Sequence, residues 1–283
     1  MNLLNLPEIQ SGAIPFVVAL IVALLLRNRW PQWSGLGALA GFYMSAASMG
    51  VLDLMPTRSA NRILLLGLVF VLLGSVIDLF AERCSKATNN CRPKLIGALV
   101  LALVLGISWL IYKTVARQDA MEMSLTLIFA TTWTAWVGGW LLTLNTQPLR
   151  LYSAVMVLAL ATGICTALGA SILLGQLAIG LSAACGAILL VACFSDAQRV
   201  PYKFIAAVAI LCSAIGVAGV IFAKVSWFTL LILAALPLVV RLPLPTSWPR
   251  LAQATLASVF AAFVGSAAIY LAWWQSAQSS SPY

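Results

Sequence analysis

The chain has 283 residues, of which 63% are hydrophobic and 8% are charged, and its formal net charge is +9. This composition excludes an ordinary soluble globular protein and predicts a chain that lies in a lipid bilayer. The sixteen lysines and arginines stand at the ends of apolar runs and form no basic stripe. We therefore assign them to membrane topology and to contact with lipid headgroups, and we predict no nucleic-acid partner.

Uncharged intervals locate the membrane spans, because a helix needs ~20 apolar residues to cross a bilayer. No lysine or arginine precedes the first interval and no cleavage site follows it, so we expect the first span to be retained. The predicted spans are Ile9–Leu26, Trp30–Leu52, Ile63–Ala81, Leu95–Tyr112, Met123–Asn145, two within Leu151–Phe194, Phe204–Ala223, Val225–Val240 and Leu251–Trp274. The ninth is the weakest, because it is short and contains Pro237.

This pattern predicts an all-α fold: a polytopic transmembrane bundle of nine or ten spans that forms one domain over residues 1–283, without a soluble domain. Eleven lysines and arginines fall in the odd-numbered connections and five in the even-numbered ones. The positive-inside rule then predicts a protein of the cytoplasmic (inner) membrane with both termini outside. Cys84 and Cys91 would lie in a cytoplasmic loop as reduced thiols.

The stretch Leu151–Phe194 has no charged side chain and is long enough for two spans joined by a turn near Ser171–Gln176. Small residues recur every fourth position in this stretch and in the tenth span. Since such ladders allow close approach of helices in lipid, we expect this hairpin to be the centre of the bundle. Spans two and ten should join it in the packed interior, and spans three, four and nine should face lipid. The predicted helix-packing residues are Gly163, Ala167, Ser182, Gly186, Ser258 and Ala262.

Acidic residues lie in the connections, in the tail or near span ends, and none is placed at the bilayer midplane. Asp78, with Glu82 one turn later, comes nearest. One interpretation is a cation or amine site; the favoured one is a helix whose acids are neutralised by Arg83 and Lys86. Since there is also no histidine, no Asp-rich pair of clusters and no protease set, we expect no metal, no cofactor and no catalysis.

Three tryptophans of the fifth span, Trp133, Trp136 and Trp140, fall within about 60° on one helix face. Trp133 sits mid-span, where a buried indole needs a partner for its N–H. One interpretation is the aromatic wall of a solute cavity; the other, slightly favoured, is bulky packing against small-residue helices. The predicted substrate-binding residues are Trp133, Trp136, Trp140, Thr132, Gln176 and Ser182.

No motif in the sequence identifies a family. The leading functional prediction is a small permease or facilitator for a neutral, aromatic or amphipathic solute, based on the span count, the small-residue core and the Trp face. The alternative is a non-catalytic membrane subunit or assembly factor of a larger complex, and a lipid-modifying enzyme comes third. The expected partners are the lipid bilayer and either a small solute or other membrane subunits.

Overall fold

A computed structural model describes residues 9–29, 33, 35–52, 59–85, 91–117, 119–169, 171–195, 199–243 and 248–279. The regular structure in these ranges is entirely helical, which confirms the predicted all-α class. A π-helical turn, Ile9–Ala13, leads into the first helix. The helices are α1 (Ile14–Arg29), α2 (Leu36–Ser48), α3 (Ser59–Ser85), α4 (Cys91–Val115), α5 (Ala120–Thr143), α6 (Pro148–Leu168), α7 (Ile172–Cys193), α8 (Tyr202–Ala223), α9 (Trp227–Ala234), α10 (Leu236–Val239) and α11 (Arg250–Ser279).

Within the described residues, eight helices are long and apolar enough to cross a membrane. The other two predicted spans are short. Helix α2 has 13 residues, about 20 Å at ~1.5 Å per residue, against a hydrocarbon core of ~30 Å. The ninth span is broken into α9 and α10 at Ala235, with Pro237 in the first turn of α10. Proline lacks the N–H that an unbroken helix requires there, so the predicted weakness of this span has a direct cause.

Helix α8 forms the centre of the bundle. In its apolar core 89% of the residues are buried, against 72% in α6 and 67% in α7. The prediction that the α6–α7 hairpin is the centre is therefore corrected: the hairpin is largely buried and packs beside α8. A helix that is apolar on every side has the same sequence pattern whether it faces lipid or protein, which is why periodicity did not single out α8.

The two helices of the α6–α7 hairpin touch through their backbones. A Cβ added to Gly163 would lie 2.9 Å from the carbonyl oxygen of Gly175, and one added to Gly175 would lie 2.8 Å from the Cβ of Ala167. Further along the hairpin, the Ser182 hydroxyl donates to the carbonyl of Met156 at 2.7 Å. Gly163, Ala167 and Ser182 thus lie at the interface between these two helices.

Gly186 has a looser environment than Gly163. The nearest atom to its would-be Cβ is the Met156 sulfur at 3.3 Å, which belongs to a flexible side chain. A side chain at position 186 therefore has neighbours that can move.

Helix α11 lies at the edge of the bundle, with 33% of its apolar core buried, and it packs against α6. The ladder that faces α6 consists of Ala254, Ala257, Ala261, Gly265 and Ala268. Ser258 borders this ladder and donates to Ser153 at 3.1 Å, but Ala262 is exposed. The prediction that span ten belongs to the interior is corrected: small residues line adjacent faces of α11, and their spacing does not say which face is covered.

Asp78 near the end of α3 caps the start of α8. Its carboxylate accepts hydrogen bonds from the backbone N–H groups of Tyr202 (2.8 Å) and Lys203 (3.2 Å). The Lys203 ammonium in turn lies 3.3 Å from the centroid of the Trp33 ring. A carboxylate at a helix N-terminus is stabilised by the unpaired N–H groups there, so Asp78 has a structural partner different from the predicted Arg83 and Lys86. Lys86 lies outside the described residues, as do the side chains of Cys84 and Cys91.

Candidate functional site

Trp133 lies where four helices meet. Its side chain is 6% exposed, and its indole nitrogen comes within 3.5 Å of the position that a Cβ on Gly216 would occupy. Leu230 of α9 and Thr162 of α6 approach the same position at 3.4 and 3.8 Å. The missing side chain at Gly216 therefore leaves the room into which the indole of α5 fits against α8.

Three buried side-chain polar atoms in the described residues have no hydrogen-bond partner: the indole nitrogen of Trp133, the hydroxyl of Ser213 and the hydroxyl of Thr229. Ser213 lies one turn before Gly216 on α8, on the same side of the helix, and Thr229 directly precedes Leu230 on α9. Both hydroxyl residues are 0% exposed. We call these three residues and Gly216 the polar centre: Trp133 contacts Gly216, Ser213 lies on the same side of α8, and Thr229 is the neighbour along α9 of Leu230, which reaches Gly216.

The polar atoms of the polar centre differ from nearby hydroxyl groups because they have no hydrogen-bond partner. Neighbouring threonines follow the ordinary rule and donate to carbonyls of their own helices: Thr134 to Ala130 at 2.8 Å and Thr162 to Leu158 at 2.7 Å. A buried polar group without a partner costs ~1–3 kcal/mol. Native proteins contain few such groups, so three contributed by three adjoining helices call for a specific explanation.

Trp136 and Trp140 have a different setting from Trp133. The Trp136 N–H donates to the carbonyl of Ala234 at 2.9 Å. In an unbroken helix that carbonyl would accept from Leu238, whose N–H donates to Ala235 instead. Trp136 therefore satisfies a carbonyl that the break between α9 and α10 leaves unpaired.

Trp140 contacts both Trp136 and Arg241 near the end of α5. The two rings meet edge to face with centroids 5.6 Å apart, and the Arg241 guanidinium lies 4.1 Å from the Trp140 centroid. Arg241 also donates to the Thr143 hydroxyl. The three predicted indoles therefore do not form one wall: Trp133 is buried in the bundle, whereas Trp136 and Trp140 fasten the segment after α9 to α5.

The other predicted substrate-binding residues do not lie in the polar centre. Thr132 is exposed on α5, Gln176 is half-buried near the start of α7, and the hydroxyl of Ser182 is occupied by Met156. Sequence reasoning missed Ser213, Thr229 and Gly216. Two features of the sequence pointed to these residues. Ser213 is the single hydroxyl in the otherwise apolar centre of α8, and Thr229 lies in the weakest predicted span.

No protein-family model matches the chain, and no curated protein has a significantly similar sequence. The class of protein is defined by the fold: the eight long apolar helices indicate a multi-pass membrane protein in contact with lipid.

Proposed function

We propose that this multi-pass membrane protein is a permease or facilitator for a small neutral solute with an aromatic or amphipathic body, and that the polar centre contacts the solute. The observation that supports the proposal is the set of three buried, unpartnered polar groups on α5, α8 and α9. In the interior of a membrane protein a polar group gains most from a partner, because water does not compete for it. A solute that pairs with these groups offsets the cost of burying them.

The chemistry of the polar centre favours an uncharged solute with a hydrogen-bond acceptor. The indole of Trp133 can only donate, whereas the hydroxyls of Ser213 and Thr229 can donate and accept. Around Gly216 the nearest atoms belong to Trp133, Leu230 and Thr162, none of which carries a charge. An ionised solute would have no counter-charge among these neighbours, so its desolvation would be uncompensated.

The broken segment beside the polar centre provides an element that can move. Thr229 belongs to α9, which is joined to α10 at Ala235 rather than forming one straight helix with it. Interrupted membrane helices in transporters commonly border the solute site. In this proposal α9 and α10 tilt around Ala235, with Trp136 and Arg241 holding the segment to α5 in the conformation described here.

A second candidate, a non-catalytic subunit of a larger membrane complex, is favoured by the outer face of α11. Ala262 and Ser266 are both exposed there at a spacing of one helical turn. Large exposed side chains such as Phe263 flank this pair, and a partner helix that packs between them would contact the small residues closely. If this face is an interface, an Ala262→Cys variant should crosslink to another membrane protein in native membranes.

We also propose a location in the cytoplasmic membrane with both termini outside, supported by the excess of positive charge in the odd-numbered connections. A topology reporter fused after Tyr283 should be active only on the outside; activity in the cytoplasm would contradict this orientation.

Replacement of Trp133 by Phe tests the solute site. Phe keeps most of the apolar volume but removes the N–H donor, so we expect neutral aromatic probes that carry an acceptor (benzyl alcohol and N-acetylphenylalanine amide) to bind up to about 10-fold more weakly. Binding is measured by thermal stabilisation and calorimetry on the full chain in detergent, followed by uptake into proteoliposomes. The matched control is Trp109→Phe, a tryptophan of α4 that is 48% exposed and lies outside the polar centre, and its loss should leave binding nearly unchanged. Equal binding to wild type and Trp133→Phe would contradict the proposal.

A further inference from the structure

A cavity of about 340 Å³ opens on α8 away from the polar centre. It is bounded by the start of α3, the end of α4 and the C-terminal part of α8. Ala218 lines it, two residues after Gly216 and therefore about 200° further around the helix. The cavity and the polar centre thus lie on opposite faces of α8.

Three cationic side chains line this cavity: Arg62, Lys113 and Arg117. Among the described residues, the lining also contains the hydroxyl-bearing Thr114 and no aspartate or glutamate. The remaining wall is apolar and includes Phe222. The cavity therefore combines a positive rim with an apolar side.

These cations come from the start of α3 and the end of α4, which meet at the cavity. Lys113 in the last turn of α4 suits the negative end of the helix dipole, but Arg62 lies in the first turn of α3, where the dipole disfavours a cation. Five lysines and arginines occupy the even-numbered connections, the side with fewer positive charges. Three of those five meet at this one cavity.

We infer that the cavity binds the phosphate-bearing headgroup of an anionic lipid. Guanidinium, ammonium and hydroxyl groups are the donors that recognise phosphate oxygens. The volume stands at the lower end of ligand sites, ~300–1,000 Å³, and so suits a headgroup rather than a whole lipid. The apolar wall at Phe222 contacts the glycerol and acyl portion, and the position at the helix ends places the phosphate at headgroup level.

The test uses the full chain in neutral detergent with the exposed cations replaced, Lys113→Gln with Arg117→Gln. Both residues are exposed, so the double variant should fold, which size-exclusion chromatography checks. We expect phosphatidylglycerol to raise the Tm of the wild type, and its apparent affinity to fall roughly 10-fold or more in the double variant. Phosphatidylcholine should have little effect on either protein.

The matched control removes two exposed cations elsewhere, Arg83→Gln with Lys94→Gln, and should bind phosphatidylglycerol like the wild type. Inorganic phosphate alone separates the headgroup from the free ion. Stabilisation by inorganic phosphate that equals that by phosphatidylglycerol would overturn the assignment to lipid. Equal loss of binding in both double variants, no loss in the Lys113/Arg117 variant, or no stabilisation by phosphatidylglycerol would overturn the site itself.

Discussion

The α6–α7 hairpin and the polar centre both contain small and hydroxyl-bearing residues inside the bundle. The packing and the hydrogen bonding of these residues differ between the two regions. In the hairpin the backbones touch at Gly163 and Gly175, and the Ser182 hydroxyl is paired with a carbonyl. In the polar centre Gly216 leaves room for an indole, and the nearby hydroxyl of Ser213 has no partner. The same residue types are paired within the protein in one region and unpaired in the other, and the hydrogen bonds distinguish the two regions.

The largest expected effect is on the hairpin. Gly163→Leu inserts a side chain where the backbone oxygen of Gly175 would be 2.9 Å from the new Cβ. Overpacking of this kind costs ~1–3 kcal/mol, and we expect the upper part of that range because a backbone cannot rotate away. The measurement is the thermal stability of the purified protein in detergent, together with its folded yield.

Gly186→Leu is the control for that substitution. Its nearest obstacle is the flexible Met156 side chain, so the loss of stability should be clearly smaller. Equal stability of the two variants would show that the backbone contact at Gly163 does not determine the strength of the hairpin.

Serine-to-alanine substitutions should change the stability less than Gly163→Leu does. Only the substitution in the hairpin should lower the stability. Ser182→Ala removes a paired hydroxyl and leaves the Met156 carbonyl without this donor, which should cost ~1 kcal/mol. Ser213→Ala removes an unpaired hydroxyl, so stability should be unchanged or slightly higher. Thermal melts of both variants without added solute decide this, and similar destabilisation by both would mean that Ser213 has a structural partner.

The fold class and the helices of the bundle could be predicted from the sequence, because the length of a span and the charges at its ends are visible in a short stretch of the chain. It also predicted that Trp133 would be buried with an N–H in need of a partner, since that follows from residue type and mid-span position. The central place of α8 was not predictable, because lipid and protein interior accept the same apolar side chains.

The polar centre could not be predicted from the sequence, for a different reason. Serine and threonine in membrane helices usually bond to their own backbone, as Thr134 and Thr162 do, and only packing reveals that Ser213 and Thr229 do not. The role of Asp78 was hidden likewise, because its partners on α8 lie 124 and 125 residues away along the chain. Long-range pairing of this kind leaves no local pattern.

The most direct test of the central claim is whether a small solute reaches the polar centre in the folded protein. Ser213→Cys places a nearly isosteric thiol there, and modification by N-methylmaleimide is followed residue by residue with mass spectrometry. We expect the thiol at position 213 to react in the folded protein and to be protected by a bound neutral solute. The adjacent native Cys212 points about 100° away around α8, not towards the polar centre, and should react only after denaturation. If position 213 also reacts only after denaturation, the polar centre is closed to solutes and the proposed permease site is wrong.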